Sequence, residues 1–415
     1  MKIIISHPTA NANVREAIAG FLKKNLVYRF YTTIAVFPNT ILDKVSEIKV
    51  FRELKRRSFH PALESLTRMY PFLEAGRQLA LKGKLKNLTV HEKGMFSVDA
   101  VYRDLDQKVS RIIEKDNAQL LGVYCYEDGA LLSFTEAKKK GISCFYDLPI
   151  GYWRAAHKIL KEEQIKNPEW GSTLLNFNDS EAKLQRKDHE LDLATKIFVA
   201  STFTAKTLRM YPGKLCTIHT IPYGFPPIAE HRPIKSKHSP LKLLFVGGLS
   251  QRKGLSYLFE AVSNLGGLVE LTLVGAKVTD NCKALNAALL NHNWIPSLPH
   301  DSILKLMREQ DVLVFPSLFE GFGLVITEAM SQGTPVITTD RTAGPDLIED
   351  GVNGWLIEAA SAQAIKTCIM HLVENRDEVE RVGAAALETA RKRPWSVYGE
   401  ALSQTLLSSD QNPSI

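Results

Sequence analysis

Short, almost continuously apolar runs recur along the chain, each followed by a polar turn and then by apolar positions at helical spacing. "KIIIS" (Lys2–Ser6) gives way to the polar loop "HPTANAN" and a helical pattern from Val14 to about Lys24. "AQLLGVYCYED" (Ala118–Asp128) repeats the design, with the helix-like "ALLSFTEAKKKG" and a further strand at "ISCFYDLP" after it. "ATKIFVAST" (Ala194–Thr202) is another buried strand entering a helix. Runs that are apolar throughout, rather than alternating, predict parallel strands covered on both faces. The punctuation changes at Tyr223–Pro240, which holds four prolines and several basic residues. The alternation then restarts with "LKLLFVGGLS", "VELTLVGA", "DVLVFPS" and "TPVITT", and a helical pattern covers about Glu378 to Leu407. The pattern predicts an α/β fold of two doubly wound Rossmann-like domains, 1–225 and 241–393, joined by a Pro-rich linker over 226–240. In such sheets ligands bind beyond the carboxyl ends of the strands, so a cleft between the domains is the expected site.

Composition narrows the class. A chain of 415 residues, 45% hydrophobic and 23% charged, can bury a sizeable core. Its five cysteines are scattered without short pairing, which suggests neither a disulfide framework nor a zinc site and fits a reducing cytoplasm. The apolar run at the N-terminus is too short for a secretory signal, and no stretch approaches the roughly 20 apolar residues needed to span a bilayer. Net charge is +7, but residues 1–120 carry 21 Lys and Arg against 12 Asp and Glu, leaving the remainder slightly acidic. That asymmetry points to an anionic partner for the first domain, a lipid surface or a phosphorylated acceptor. The densest basic patches, Phe51–His60 and Leu81–Lys86, interleave no base-stacking aromatics, so nucleic acid is not expected.

The most informative stretch is "FPSLFEGFGLVITEAMSQG" (Phe315–Gly333), where a strand hands over to a helix. Glu320 falls in the turn and Glu328 inside the helix, which places their carboxylates roughly 8–12 Å apart. Retaining glycosidases hold theirs about 5–5.5 Å apart, so a double-displacement pair is not expected. The spacing suits two grips on one long ligand. Gly321 and Gly323 let the backbone approach a ligand closely, and the helix N-terminus offers free N–H groups to phosphates. A nucleotide diphosphate sugar fits this constellation. Taken singly, the plainer readings are a loop carboxylate favoured by the helix dipole and a solvated helix residue. A second phosphate-directed element is "LLFVGGLSQRKGL" (Leu243–Leu255), where Gly247 and Gly248 end a strand and Arg252 and Lys253 precede a helix. Cations there would neutralise a departing diphosphate. The spacing is neither that of a Walker loop nor that of a dinucleotide fingerprint.

From Leu241 to about Ile357 the chain resembles the retaining glycosyltransferases of family 4, which have the two-domain GT-B fold. The resemblance rests on Glu320–Glu328 in "EGFGLVITEAM", on "FVGGLSQRKG", and on "GTPVITT" with "VNGWLI". "IPYGF" (Ile221–Phe225) and "PWSVYGEAL" extend it, the latter to a C-terminal helix over 394–415 that returns to the first domain. It implies that Glu320 contacts the donor sugar and Glu328 the ribose, with backbone amides of Phe322, Gly323 and Leu324 on the sugar and phosphates. Arg252 and Lys253 would stabilise the leaving diphosphate, with Gly247 and Gly248 in the donor seat. Transfer in the family proceeds by front-face attack without a metal. The absence of a metal-binding DxD fits this, since "DLD" (Asp104–Asp106) falls in a helical pattern.

This sequence also departs from the family pattern. Gly248 stands where an arginine is usual, and "HPTANAN" replaces a glycine-rich loop. His7, Asn11 and Asn13 are the acceptor-side candidates, with the two asparagines offering left-handed turns and amide donors. Where relatives carry a sugar-contacting histidine, this chain offers Tyr146 and Asp147, with Glu127 and Asp128 alongside. Asp147 is taken as a sugar or acceptor contact, a helix cap being its plainer use. Base contacts are expected from the loop around Asn293–His300. The expected function is transfer of a hexose from a nucleotide diphosphate sugar, with no cofactor, to a glycan or lipid-linked acceptor at the inner membrane face. The alternatives are a catalytically silent nucleotide-sugar-binding partner protein, or a nucleotide-sugar epimerase on the same scaffold.

Overall fold

The computed structural model describes residues 2–116, 118–175, 177–230 and 239–408. The middle of the linker (231–238) and the last seven positions of the expected C-terminal helix segment lie outside the described residues. Thirteen strands are described: β1 Lys2–Ser6, β2 Val27–Thr32, β3 Thr67–Met69, β4 Leu120–Tyr126, β5 Ser143–Leu148, β6 Lys196–Val199 and β7 Thr217–Thr220 form one sheet. The other contains β8 Leu241–Val246, β9 Val269–Val274, β10 Asn293–Ile295, β11 Val312–Phe315, β12 Val336–Thr339 and β13 Trp355–Ile357. Every pairing is parallel. The first sheet runs β3-β2-β1-β4-β5-β6-β7 and the second β10-β9-β8-β11-β12-β13. Each therefore reverses direction of growth once, between β1 and β4 and between β8 and β11. Those two switch points are where a doubly wound sheet opens a crevice for a ligand.

The apolar runs became central strands because both faces are covered. Ile3, Ile4 and Ile5, and Leu243, Leu244 and Phe245, are at most 1% exposed. The pattern did not single out β2, β3, β7, β10 or β13, which are short or carry charged and polar residues such as "VYRFYT" and "TIHT".

The C-terminal helical stretch is two helices, Arg376–Lys392 and Trp395–Leu407, separated at Pro394. The second lies on the first-domain helix Ala12–Lys23, and the two backbones meet at Gly20 and Gly399. A Cβ on Gly20 would stand 2.2 Å from the Gly399 carbonyl oxygen. Lys196, from β6, donates to the carbonyls of Thr405 and Ser408 (3.1 and 2.5 Å), closing the helix end with a cation from the first domain. Among the described residues no helix is long and apolar enough to cross a membrane.

Candidate active site

A cavity of about 500 Å³ lies between the domains, lined from the loops that follow β1, β4, β8 and β11. Both switch points thus open into one space. From the second domain come Gly247, Lys253, Glu320, Phe322, Gly323 and Leu324; from the first come His7, Asn11, Asn13, Tyr102, Glu127 and Asp128.

On the second-domain side, two loops are locked together. The carbonyl of Arg252 accepts from the backbone N–H of Leu318 (2.9 Å) and the hydroxyl of Ser317 (3.2 Å). The Arg252 guanidinium donates to the Phe319 carbonyl (2.8 Å) and to Glu320 (3.3 Å), and Lys253 makes a direct ion pair with the same Glu320 oxygen. Burial pushes the Glu320 carboxyl up, but Lys253 and Arg252 outweigh it and hold it below the usual range. Burial pushes the Lys253 ammonium down to about 8, against the opposing field of Glu320. From the first domain, Thr173 accepts from the Gln251 N–H (2.9 Å), and the buried Glu163 accepts from the Gln251 amide (2.7 Å), fixing the turn that presents both cations.

The following turn is held from the first domain as well. A Cβ on Gly321 would lie 1.9 Å from the Pro149 carbonyl oxygen. The Gly321 carbonyl accepts from Ser201 (2.5 Å) and Thr204 (2.9 Å). Its missing side chain therefore admits the neighbouring domain, not a ligand as the sequence suggested. Gly323, at φ 89°, is the N-cap of the helix Leu324–Ser331 and needs the left-handed region that glycine tolerates. Phe322 packs on Tyr223, which also meets Trp395 and Tyr398 and accepts from the Asn13 amide (3.2 Å).

The first-domain wall is acidic and ordered by a charged network. Arg186 bridges Asp99 (2.5 Å) and Asp128 (3.1 Å), while Lys187 stands 3.6 Å from Glu127. Burial raises the Glu127 carboxyl to about 7, with Lys187 opposing. His7 lies edge-on to Tyr126, and burial lowers its imidazole to about 4, so it is neutral at pH 7. Cations and a helix N-terminus thus face carboxylates and hydroxyls across the same space. This arrangement can seat a diphosphate on one side and sugar hydroxyls on the other.

Residues 228–389 match the family model described as glycosyl transferases group 1. The group 1 domain thus covers the whole second sheet and both locked loops. Among curated relatives, the amylovoran biosynthesis glycosyltransferase AmsK of Erwinia amylovora is 31% identical over 164 residues, 36% of this chain and 40% of that protein. The phosphatidyl-myo-inositol mannosyltransferase of Mycobacterium leprae is 31% identical over 166 residues, 39% of this chain and 44% of that protein. The matched stretch spans less than half the length of these relatives. Solved structures align along both domains. Sucrose-phosphate synthase from Thermosynechococcus elongatus superposes with a TM-score of 0.66 at 15% identity, covering 98% of each chain. The Anabaena protein HepE in complex with UDP gives 0.62 at 16% identity, covering 98% of this chain and 99% of that one. The fold is GT-B, two parallel-sheet domains across a cleft with a C-terminal helix returning to the first.

Not every residue singled out in the sequence lines the cavity. Gly248 is exposed outside it, and Arg252 reaches it through Glu320. Glu328 also stands outside its lining, partly buried, with His300 3.8 Å away at the start of the helix His300–Glu309. Burial raises the Glu328 carboxyl, with His300 opposing. The loop expected to meet the base therefore does run beside Glu328. Asn11 has φ −62° and Asn13 lies within a helix, so neither supplies a left-handed turn. Asp106 accepts from the N–H groups of Leu132 and Ser133 (2.8 and 2.9 Å), and Asp104 pairs with Lys108 (2.6 Å), so "DLD" is spent on structure. Tyr102, Asp99 and Lys183, which line the cavity, carry no local motif and were not found in the sequence.

Asp147 is a correction: it lies 3% exposed beneath the cavity, accepting from the Tyr124 hydroxyl (2.6 Å), and does not line it. Burial raises its carboxyl to about 7. An unfolded aspartate loses its proton near pH 4, so between about 4 and 7 the folded chain alone holds the proton, and Asp147 lowers stability as pH rises through that window. Asp147→Asn is therefore expected to raise Tm by about 2–8 °C at pH 8 and by much less at pH 5. Thermal melts at both pH values check this; an equal shift at both would refute it.

Proposed function

We propose that this chain is a retaining, family 4 type glycosyltransferase that moves a hexose from a nucleotide diphosphate sugar to a glycan or lipid-linked acceptor without a metal. The observation that carries this reading is Glu320, clamped by Lys253 and Arg252 beside the N-terminus of Leu324–Ser331, where both switch points meet. An arriving diphosphate would take over Lys253 and Arg252 as its counter-charges and lie against the N–H groups at Gly323 and Leu324. Glu320 would then be free to accept from sugar hydroxyls, and Glu328, beyond the phosphates, to accept from the ribose. In front-face transfer the bond from the anomeric carbon to the β-phosphate oxygen breaks with its electron pair on the phosphate. The acceptor oxygen bonds to the same face of that carbon, and its proton passes to the departing phosphate. Lys253 and Arg252 stabilise the charge that develops there, the interaction that contributes most when preorganised. The relatives that act in amylovoran biosynthesis and as a phosphatidyl-myo-inositol mannosyltransferase support an acceptor of this class, and the basic first domain supports work at an anionic inner membrane face.

The test is nucleotide release from a panel of UDP-, GDP- and ADP-sugars, with and without membrane lipid extract. One donor is expected to give acceptor-stimulated release, with the anomeric configuration kept in the product and the rate unchanged by EDTA. Inverted product or loss of rate in EDTA would refute the mechanism. Tight nucleotide binding without release under any condition would favour a silent binding partner. Solvent deuterium entering the sugar ring would favour an epimerase.

A further inference from the structure

A second concavity, about 650 Å³, opens on the first domain between the segment Leu42–Arg57 and the helix Phe72–Lys82. Ile34, Leu42, Val45, Leu54, Met69 and Leu79 make its walls largely apolar. Thr9 and Ala10 line it as well, and Asn11 lines both this groove and the cavity between the domains. The loop after β1 is thus the partition between groove and candidate active site. Of the lining residues Leu79 is 68% exposed, Met69 42% and Phe51 40%, and Ile41 and Phe72, just beside the groove, are 81% and 74% exposed. Exposed apolar side chains gathered around one apolar concavity, rather than scattered singly, are what a binding surface requires.

The groove is also lined by Arg56, Arg57 and Lys82 against Glu53, and in sequence residues 41–57 and 72–86 together hold ten Lys and Arg against four Asp and Glu. Arg57 is committed to Glu74 (2.5 Å) and to the Pro8 carbonyl (3.2 Å), which fixes the partition loop. Arg56, at the groove and exposed, has no carboxylate partner among the described residues. We infer that this groove holds the hydrocarbon chain of an anionic lipid-linked acceptor, whose phosphate meets Arg56 and whose sugar end passes the partition loop into the cleft. Continuity through Asn11 and complementary charge argue for a single amphiphile. A bilayer face would be met by a flat patch, whereas this surface is concave and meets the candidate active site at Asn11. The inference rests on the transferase reading for the word acceptor, and on the groove alone for the lipid.

The experiment uses the full chain and farnesyl phosphate below its micellar concentration, with farnesol and inorganic phosphate as controls, followed by calorimetry. Farnesyl phosphate is expected to bind at least about tenfold more tightly than either control. Leu79→Asp is expected to weaken it by about tenfold or more, and Arg56→Glu to weaken farnesyl phosphate but not farnesol. Both residues are exposed, so both variants are expected to keep the native Tm and nucleotide affinity. Binding no tighter than inorganic phosphate, or unchanged in both variants, would overturn the inference. So would flotation with phosphatidylglycerol vesicles without binding of the monomer, which would make the patch a membrane contact. Farnesyl phosphate binding in a chain that releases no nucleotide from any donor would keep the lipid site and remove the transferase reading.

Discussion

Replacing Glu320 by alanine is expected to lower turnover by about 10²–10³-fold while changing nucleotide affinity by less than about tenfold. Glu320 is the counter-charge of Lys253 and Arg252. On the proposed reading, removing it would cost the sugar its acceptor group but leave both cations for the phosphates. It also removes the field that keeps a proton on Lys253, whose ammonium burial has already brought down to about 8. Nucleotide affinity in the variant should therefore fall more steeply above neutral pH than in the native chain. Single-turnover rates and nucleotide titrations at pH 6.5 and 8.5 separate the effects; equal losses in rate and affinity would contradict a sugar contact.

Gly20→Val is expected to give the largest loss of stability, at least about 3 kcal/mol. The incoming Cβ would meet the Gly399 carbonyl and Cα, at 2.2 and 2.6 Å, and these are backbone atoms of a helix that cannot swing aside. Relief requires lifting Trp395–Leu407 off Ala12–Lys23, which also breaks the Lys196 contacts to Thr405 and Ser408. Tm should drop and protease should cut near Pro394. A variant that melts like the native chain and resists cleavage would refute the close crossing.

What could be read from the sequence divides along the same line as the domains. In the second domain the residues that line the cavity fall in two short windows, 246–253 and 315–325, so spacing along the chain reports spacing in space. The first-domain wall is assembled from Asp99, Tyr102, Glu127, Asp128 and Lys183, which three separate elements bring together, and no window contains them. Asp147 misled for a related reason. Five of the six residues of β5 are buried, so the strand has no alternation to tell its cleft-facing end from its core. Gly321 misled differently: a glycine records that something comes close, not whether that something is a ligand or a neighbouring domain.

The hold on Gly321 ties the aiming of Glu320 to the contact between the domains. Its carbonyl hangs from two first-domain hydroxyls, while Glu320, one residue earlier, is aimed by second-domain cations. On the proposed transferase reading, parting the halves to let a product out would unhook that carbonyl and slacken the turn on which the carboxylate is mounted. Reclosing would rehang it before the carboxylate is aimed again. The carboxylate would then be cocked only when the cleft is shut, and a donor in a gaping cleft would meet no tool able to spend it on water.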